Sequence, residues 1–187
     1  SLLGTYGDRE FTLGHRLLTQ PRVVVFYLSL LLLPLPGRLS LLHSTAISTG
    51  LVDPVTTLIC MVLLLALVVL AFWLVSRDRL TAFALLWFFG GLVIESSAVG
   101  LEMIYEHRLY LPSMFLGMAF VCLLQRLLGR RSRRAVFVVL GALCIVFGYW
   151  AVERNRLWND PVAFWAHTTA MAPSDARASG HLAAALM

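Results

Sequence analysis

The chain has 187 residues, 59% of them hydrophobic and 13% charged, with a formal net charge of +5 and a mean hydropathy of +0.82. Soluble domains carry roughly a quarter of their residues as charged side chains, so this composition excludes an ordinary soluble domain and points to a membrane protein. Nucleic-acid binding is set aside as well: no aromatic-studded basic groove accompanies the charge, and seven of the fifteen arginines flank two short loops, Arg77 and Arg79 in one, Arg126, Arg130, Arg131, Arg133 and Arg134 around the other.

Residues 1–22 mix glycine punctuation with a short amphipathic pattern from Phe11 to Leu18, which Pro21 is expected to close. Val23 to Pro36 holds about a dozen apolar residues, whereas a perpendicular span needs roughly 20. It is expected either as a short tilted or re-entrant span or as a juxtamembrane helix in the interface. With the polar, turn-rich loop from Gly37 to Asp53 it makes a first unit, residues 1–53, on the outer face.

Pro54 to Val75 is uncharged and long enough to span, with Trp73 near one end as an interfacial anchor. After the turn Ser76 to Arg79, a shorter aromatic return span runs from Leu80 to Ile94, and Gly90 and Gly91 leave room there for another helix to approach closely. Residues 95–111 form a charged outer loop. Pro112 is expected to open a third span ending at Leu128, and Ala135 to Val152 supplies a fourth, so that residues 54–152 make a four-span membrane region. Positive charge in short loops marks the cytoplasmic side. Loops 76–79 and 126–134 are therefore assigned to the cytoplasm, and residues 37–53, 95–111 and 153–187 to the opposite face. Cys60, Cys122 and Cys144 fall inside expected spans without metal-type spacing, as packing residues do.

Residues 153–187 are polar, alanine-rich and helical in period, with Pro173 between two helical patterns. Leu182, Ala183 and Leu186 fall at the apolar and small positions of a tetratricopeptide (TPR) repeat, which predicts a TPR-like hairpin. Such repeats bury their faces only against neighbours, so the chain is expected to be an internal piece of a longer one. The expected fold class is all-α: a polytopic helical membrane protein with four transmembrane helices, one short juxtamembrane or re-entrant helix, and a C-terminal TPR-like hairpin.

The chemistry concentrates between Glu95 and Ser113. Ionisable groups are costly at membrane depth, and Glu95, Glu102 and Glu106, spaced seven and four apart, would share one face of a continuous helix. Arg108 presents a planar fork matched to phosphate oxygens, Tyr110 can hydrogen-bond the same group, and His107 could assist in phosphate or acceptor contact. Arg108 could instead pair with Glu102 or Glu106 and staple the loop, and the three carboxylates could form a solvated face or internal ion pairs rather than assist a metal or an acceptor. Glu-x-x-x-Glu-His is no strong metal signature. His43 and Asp53 could reach the same place, although Asp53-Pro54 is also a turn and helix start. Trp158, Phe164 and Trp165 offer either an acceptor platform or packing. Arg154 and Arg156 face headgroup phosphates or a lipid-linked donor.

The segments RLLTQPRVVVFYLSLLLLPLP, LVDPVTTL, YEHRLYLPSMFLG, RNRLWNDPVAFW and APSDARASGHLA together resemble the C-terminal half of the membrane domain of bacterial TPR-containing GT-C glycosyltransferases. More distantly, the chain is similar to the transmembrane and TPR O-mannosyltransferases of animals. The most specific element is E-H/R-x-L-Y-L-P-S, here Glu106 to Ser113. The resemblance implies a bacterial inner-membrane enzyme that takes a sugar from a polyprenyl-phosphate donor and passes it to a protein or glycan acceptor, with the repeats in the periplasm. It also implies that the principal catalytic acid lies upstream of Ser1. No catalytic residue is then assigned within the chain beyond Glu102 and Glu106 as auxiliaries. Arg108, His107 and Tyr110 are the expected substrate contacts, no metal ligand is assigned, and a divalent metal is left open. Membrane lipids, the lipid-linked sugar and the acceptor are the expected partners. Two rivals stand beside this reading: a non-enzymatic membrane anchor displaying TPRs for envelope proteins, and a polysaccharide polymerase or flippase.

Overall fold

Backbone polar groups surrounded by hydrocarbon must be satisfied within their own segment, and the apolar runs of this chain accordingly form helices. The computed structural model describes residues 12–93, 104–128 and 133–187. Among these the elements are α1 (Leu13–Leu32), α2 (Thr56–Leu74), α3 (Arg79–Val93), α4 (Tyr110–Ser113), α5 (Leu116–Leu128), α6 (Arg133–Trp158), α7 (Pro161–Met171) and α8 (Ala176–Ala185), with 3₁₀ turns at Pro36–Arg38 and Glu106–Leu109. The fold is all-helical among the described residues. Two helices, α2 and α6, are long and apolar enough to cross a membrane, and α4 with α5 makes a third if that pair, bent by 57°, is one span. The expected return span is a 15-residue apolar helix, α3.

α1 departs from expectation. Pro21 does not close a first helix: the Phe11–Leu18 pattern and the Val23 run join into one 20-residue helix with Pro21 inside it. Thr12 caps the start by accepting from the His15 N–H at 3.3 Å. A mid-helix proline removes one backbone donor and crowds the carbonyl four residues earlier, here that of Leu17, a residue that lies on the exposed side. The opposite side is fixed by packing. Arg16, Thr19, Gln20, Val23, Val24, Tyr27 and Leu30 are buried at spacings of one, three and four, a single helical face. Its apolar part, Val23, Val24 and Tyr27, joins Phe88 and Leu92 of α3 with Ile104 and Leu109 to form the core.

The join between α3 and α4 explains the second departure. Pro112 does not open a long span but sits inside the one-turn helix α4. A Cβ on Gly91 would meet Pro112 Cγ at 3.0 Å and its Cα at 3.3 Å, so the proline occupies the notch that only glycine leaves. Trp87 Nε1 donates to the Leu111 carbonyl at 3.0 Å. Phe115 then packs edge-on against Phe83 and Trp87, with ring centroids 5.0 and 5.2 Å away, and holds the start of α5 on α3. α4 is pinned to the end of α3, and the chain bends before α5 begins.

At the other end of these helices Asp78, buried ahead of α3, accepts from the Thr81 N–H at 3.3 Å and from Arg126 Nη1 of α5 at 2.6 Å. Arg77 lies over the Trp73 ring at 3.9 Å. The turn after α2 and the arginine-bearing end of α5 are thus tied together. α6 runs on past Val152 to Trp158, so Glu153, Arg154 and Arg156 ride on the same helix as the apolar span. Asp160 caps α7, accepting from Val162 N–H at 3.0 Å and Ala163 N–H at 3.1 Å with Pro161 in the first turn, and Asp175 caps α8. The two helices flank Pro173 and pack as a hairpin, with Ala172 and Ala178 buried and Trp165 stacked on His181 at 4.3 Å.

Candidate functional site

The loop after α1 is anchored back along that helix. Arg38 Nη2 donates to Ser29 Oγ at 2.6 Å and its guanidinium lies over Phe26. Arg22 Nη1 donates to the Ala46 carbonyl at 2.7 Å, and the Ser48 N–H donates to Thr19 Oγ1 at 2.9 Å. Ser48 Oγ then shares a 2.8 Å hydrogen bond with Thr57 Oγ1, both residues fully buried, which delivers the chain to α2. With its ends fixed, the loop presents Ser40 and His43 at a defined place. Asp53 completes the turn: its carboxylate accepts from Thr49 Oγ1 at 2.6 Å, and its carbonyl from the Thr49 and Gly50 N–H groups. Of the two residues named from sequence in this loop, Asp53 serves the turn and His43 reaches the charged segment.

That segment is positioned by Tyr27. Its hydroxyl accepts from the Tyr105 N–H at 2.8 Å and donates to the Tyr105 carbonyl at 3.2 Å, while Ile104 and Leu109 on either side enter the core. Glu106 is held at the edge of that core. Its Oε1 accepts from the Ser40 N–H at 2.7 Å and lies 2.8 Å from His43 Nε2. The His43 side chain is 4% exposed and that of Glu106 24%, so the contact is sheltered on the histidine side and opens at the carboxylate. Phe26 packs edge-on against the imidazole at 5.3 Å.

A third segment completes the cluster. Arg154 of α6 lies within electrostatic reach of Glu106, and the Pro36–Arg38 turn packs against α6. The guanidinium sits 5.9 Å from the Trp158 ring one turn along. Glu106 and His43 thus come from two distant stretches of chain and meet at one point, and the turn between His43 and α1 packs on the helix that carries Arg154.

The helix expected to run through Glu106 is interrupted just before it. Tyr105 is extended, with φ −140° and ψ 120°, and Glu106 starts a 3₁₀ turn, so no continuous helix leads into Glu106. The reason is tertiary: both backbone groups of Tyr105 are bonded to the Tyr27 hydroxyl rather than to a helical ladder. Glu95 and Glu102 lie outside the described residues. Arg108 is brought over the Tyr105 ring at 4.9 Å, and the exposed His107 leans on the same ring at 5.0 Å. Tyr110 is 88% exposed, so little of the protein surrounds it.

The aromatic trio at the α6–α7 junction packs on itself, Trp158 on Phe164 at 4.4 Å and Phe164 on Trp165 at 5.2 Å, with Phe164 buried. Arg156 pairs with Glu153 at 2.8 Å on the surface. Among the described residues no three His, Cys, Asp or Glu side chains are grouped to hold a metal ion.

Ser40 was not singled out from sequence, because it acts on Glu106 through a backbone N–H that every residue but proline possesses. Chemically, the contact offers a carboxylate with one oxygen taken up by two donors, its other oxygen left as an acceptor, and an imidazole beside it. Compared with family models, curated proteins and solved structures, the chain matches none of the three.

Proposed function

We propose that the chain is part of a GT-C-type membrane glycosyltransferase, which transfers a sugar from a polyprenyl-phosphate donor to a protein or glycan acceptor on the non-cytoplasmic face. The observation that carries the reading is the Glu106–His43 contact, which fixes the start of the EHRLYLPS segment against the loop after α1. Transfer from a lipid phosphate needs a fixed cation for the departing phosphate and a polar site for the sugar and the attacking hydroxyl. Arg108, restrained over Tyr105, takes the first role with His107 beside it, and the Glu106 cluster the second.

In this reading α3 and the bent α4–α5 pair complete four spans with α2 and α6, in a bacterial inner membrane. The Asp78–Arg126 pair supports it by bringing the two arginine-rich loops to one end, the cytoplasmic one. The α7–α8 hairpin is then the first TPR unit, in the periplasm, where it receives the acceptor.

Two measurements test the reading. In the complete protein, Arg108→Ala should lower transfer from a polyprenyl-phosphate sugar at least about tenfold while membrane insertion is unchanged; undiminished transfer refutes the phosphate contact. With the three native cysteines replaced, single cysteines at Ser76 and Ser174 should be labelled from opposite sides of the membrane. Labelling from one side overturns the topology and the periplasmic hairpin with it.

A further inference from the structure

The end of α2 gathers cations around one buried carboxylate. The Arg77 and Asp78 N–H groups both donate to the Leu74 carbonyl, at 2.9 and 2.7 Å, so the turn closes against the last residue of α2. The Asp78 carbonyl then accepts from the Ala82 N–H at 2.9 Å at the start of α3. Arg77 and Arg79 flank Asp78 in this fixed turn, and Arg126 of α5 reaches it through the 2.6 Å bond to Oδ2. Three guanidinium groups thus stand within one residue or one hydrogen bond of a single carboxylate. Among the described residues no acidic side chain pairs with Arg77 or Arg79.

Two of the three cations are held in place before any ligand arrives. Arg77 lies over the Trp73 ring, its guanidinium 3.9 Å from the centroid, and Arg126 is fixed by Asp78. Side chains already restrained lose less entropy on binding than free ones. The carboxylate itself is turned away from solvent: the Asp78 side chain is 6% exposed, with Oδ1 on the Thr81 N–H and Oδ2 on Arg126, whereas the Arg126 side chain is 55% exposed. That bond engages only Nη1, and a guanidinium carries five N–H donors in a fork that matches phosphate oxygens. The surroundings select among phosphates. Phe72 and Trp73 in the last turn of α2, Leu80 beside Arg79 and Leu127 beside Arg126 are all exposed, and an exposed tryptophan at the end of a span sits at headgroup level. A phosphate ester that carries two acyl chains satisfies the arginines and the apolar side chains together. Free phosphate leaves the apolar side chains bare, and a choline headgroup brings a cation of its own toward the arginines.

We propose that Arg77, Arg79 and Arg126, gathered on Asp78, form a headgroup site for an anionic diacyl phospholipid. The phosphate takes the outward N–H groups of Arg77 and Arg126, with Arg79 adding charge, and the acyl chains run along the exposed apolar side chains of α2 and α5. Asp78 is a positioning residue here: it holds one of the cations and does not meet the lipid. The site requires only that α2 crosses the membrane, and it is independent of the transferase reading.

The test uses the whole chain in detergent, titrated with phosphatidylglycerol, phosphatidylcholine or glycerol phosphate and read by native mass spectrometry. Phosphatidylglycerol should be retained about tenfold more tightly than phosphatidylcholine, and glycerol phosphate should not be retained. Arg77→Gln and Arg126→Gln should each weaken phosphatidylglycerol about fivefold to tenfold, the scale of one basic side chain at a lipid surface, and leave phosphatidylcholine unchanged. Arg77→Gln leaves the Asp78–Arg126 pair in place, so it decides the matter even where Arg126→Gln fails to fold. Arg156→Gln, which removes one charge from the far end of α6, should bind phosphatidylglycerol as the parent chain does. Four results overturn the proposal: phosphatidylcholine held as tightly as phosphatidylglycerol, which is an unselective lipid annulus; glycerol phosphate held as tightly as the lipid, which is an anion site without a lipid; equal weakening by Arg156→Gln, which is attraction by net charge; and unchanged phosphatidylglycerol binding in Arg77→Gln.

Discussion

Replacing Glu106 by alanine should release the loop that follows α1, and the loss can be worked out from the groups it strands. The carboxylate accepts from the Ser40 N–H at 2.7 Å and contacts His43 Nε2 at 2.8 Å, with Ser40 2% exposed and the His43 side chain 4% exposed. Neither donor can turn to water, and each buried donor left without an acceptor costs about 1–3 kcal/mol. The two are adjacent and their losses overlap, so Glu106→Ala is expected to cost about 2–4 kcal/mol. For a chain of this size that lowers the unfolding midpoint by about 5–15 °C. Glu106→Gln keeps an acceptor oxygen in place and should cost about 1 kcal/mol, the charge-assisted part of the contact. The assay is thermal unfolding in detergent followed by tryptophan fluorescence, on Glu106→Ala, His43→Ala and the double variant. The cycle should give a coupling of about 1–2 kcal/mol, since removing either partner already breaks the same contact. A Glu106→Ala midpoint within about 2 °C of the parent, or a coupling near zero, would refute the idea that this carboxylate holds the loop.

The glycine pair at the end of α3 gives a paired prediction. Gly91→Ala should destabilise by about 1–3 kcal/mol, because its Cβ would press on Pro112, whereas Gly90→Ala, with nothing within 4 Å, should be neutral or stabilise by up to about 1 kcal/mol through helix propensity; equal effects in a melting comparison would deny the notch. At the opposite end of the helices, the Thr81 side chain and N–H, helped by the Arg126 guanidinium, outweigh burial and hold the Asp78 carboxyl below its ordinary value of 3.8. A carboxylate with a lowered folded-state pKa contributes stability that is fully present above the unfolded value and is lost as the pH falls through the folded one. Asp78→Asn should therefore melt lower than the parent at pH 7 by an amount that shrinks below pH 3.8. A pH-independent difference would contradict the origin of the shift.

Several features were legible from local chemistry because their causes are local. Pro173 separates the two helical patterns of the tail, since a proline disfavours continuing a helix that precedes it, and α7 and α8 lie on either side of it. The Gly90-Gly91 pair marks a place of close approach, and Pro112 fills it at Gly91 alone. Pro21 misled, because a proline can be carried inside a helix when packing on both sides of it stabilises the rest, and Val23, Val24 and Tyr27 provide that packing only through α3. Pro112 misled for the related reason that its partner, Gly91, belongs to another helix.

Composition and pattern alone therefore set the class: long uncharged runs with no room for backbone polar groups except in helices, arginines gathered at short loops, and a polar helical tail. The site required the fold. Glu106 and His43 are 63 positions apart, Asp78 and Arg126 are 48, and Tyr27 and Tyr105 are 78, and no periodicity along the chain connects residues so distant. Their meeting depends on the path that α1, its returning loop and α6 take around the end of α3. That path makes Glu106 the partner of His43.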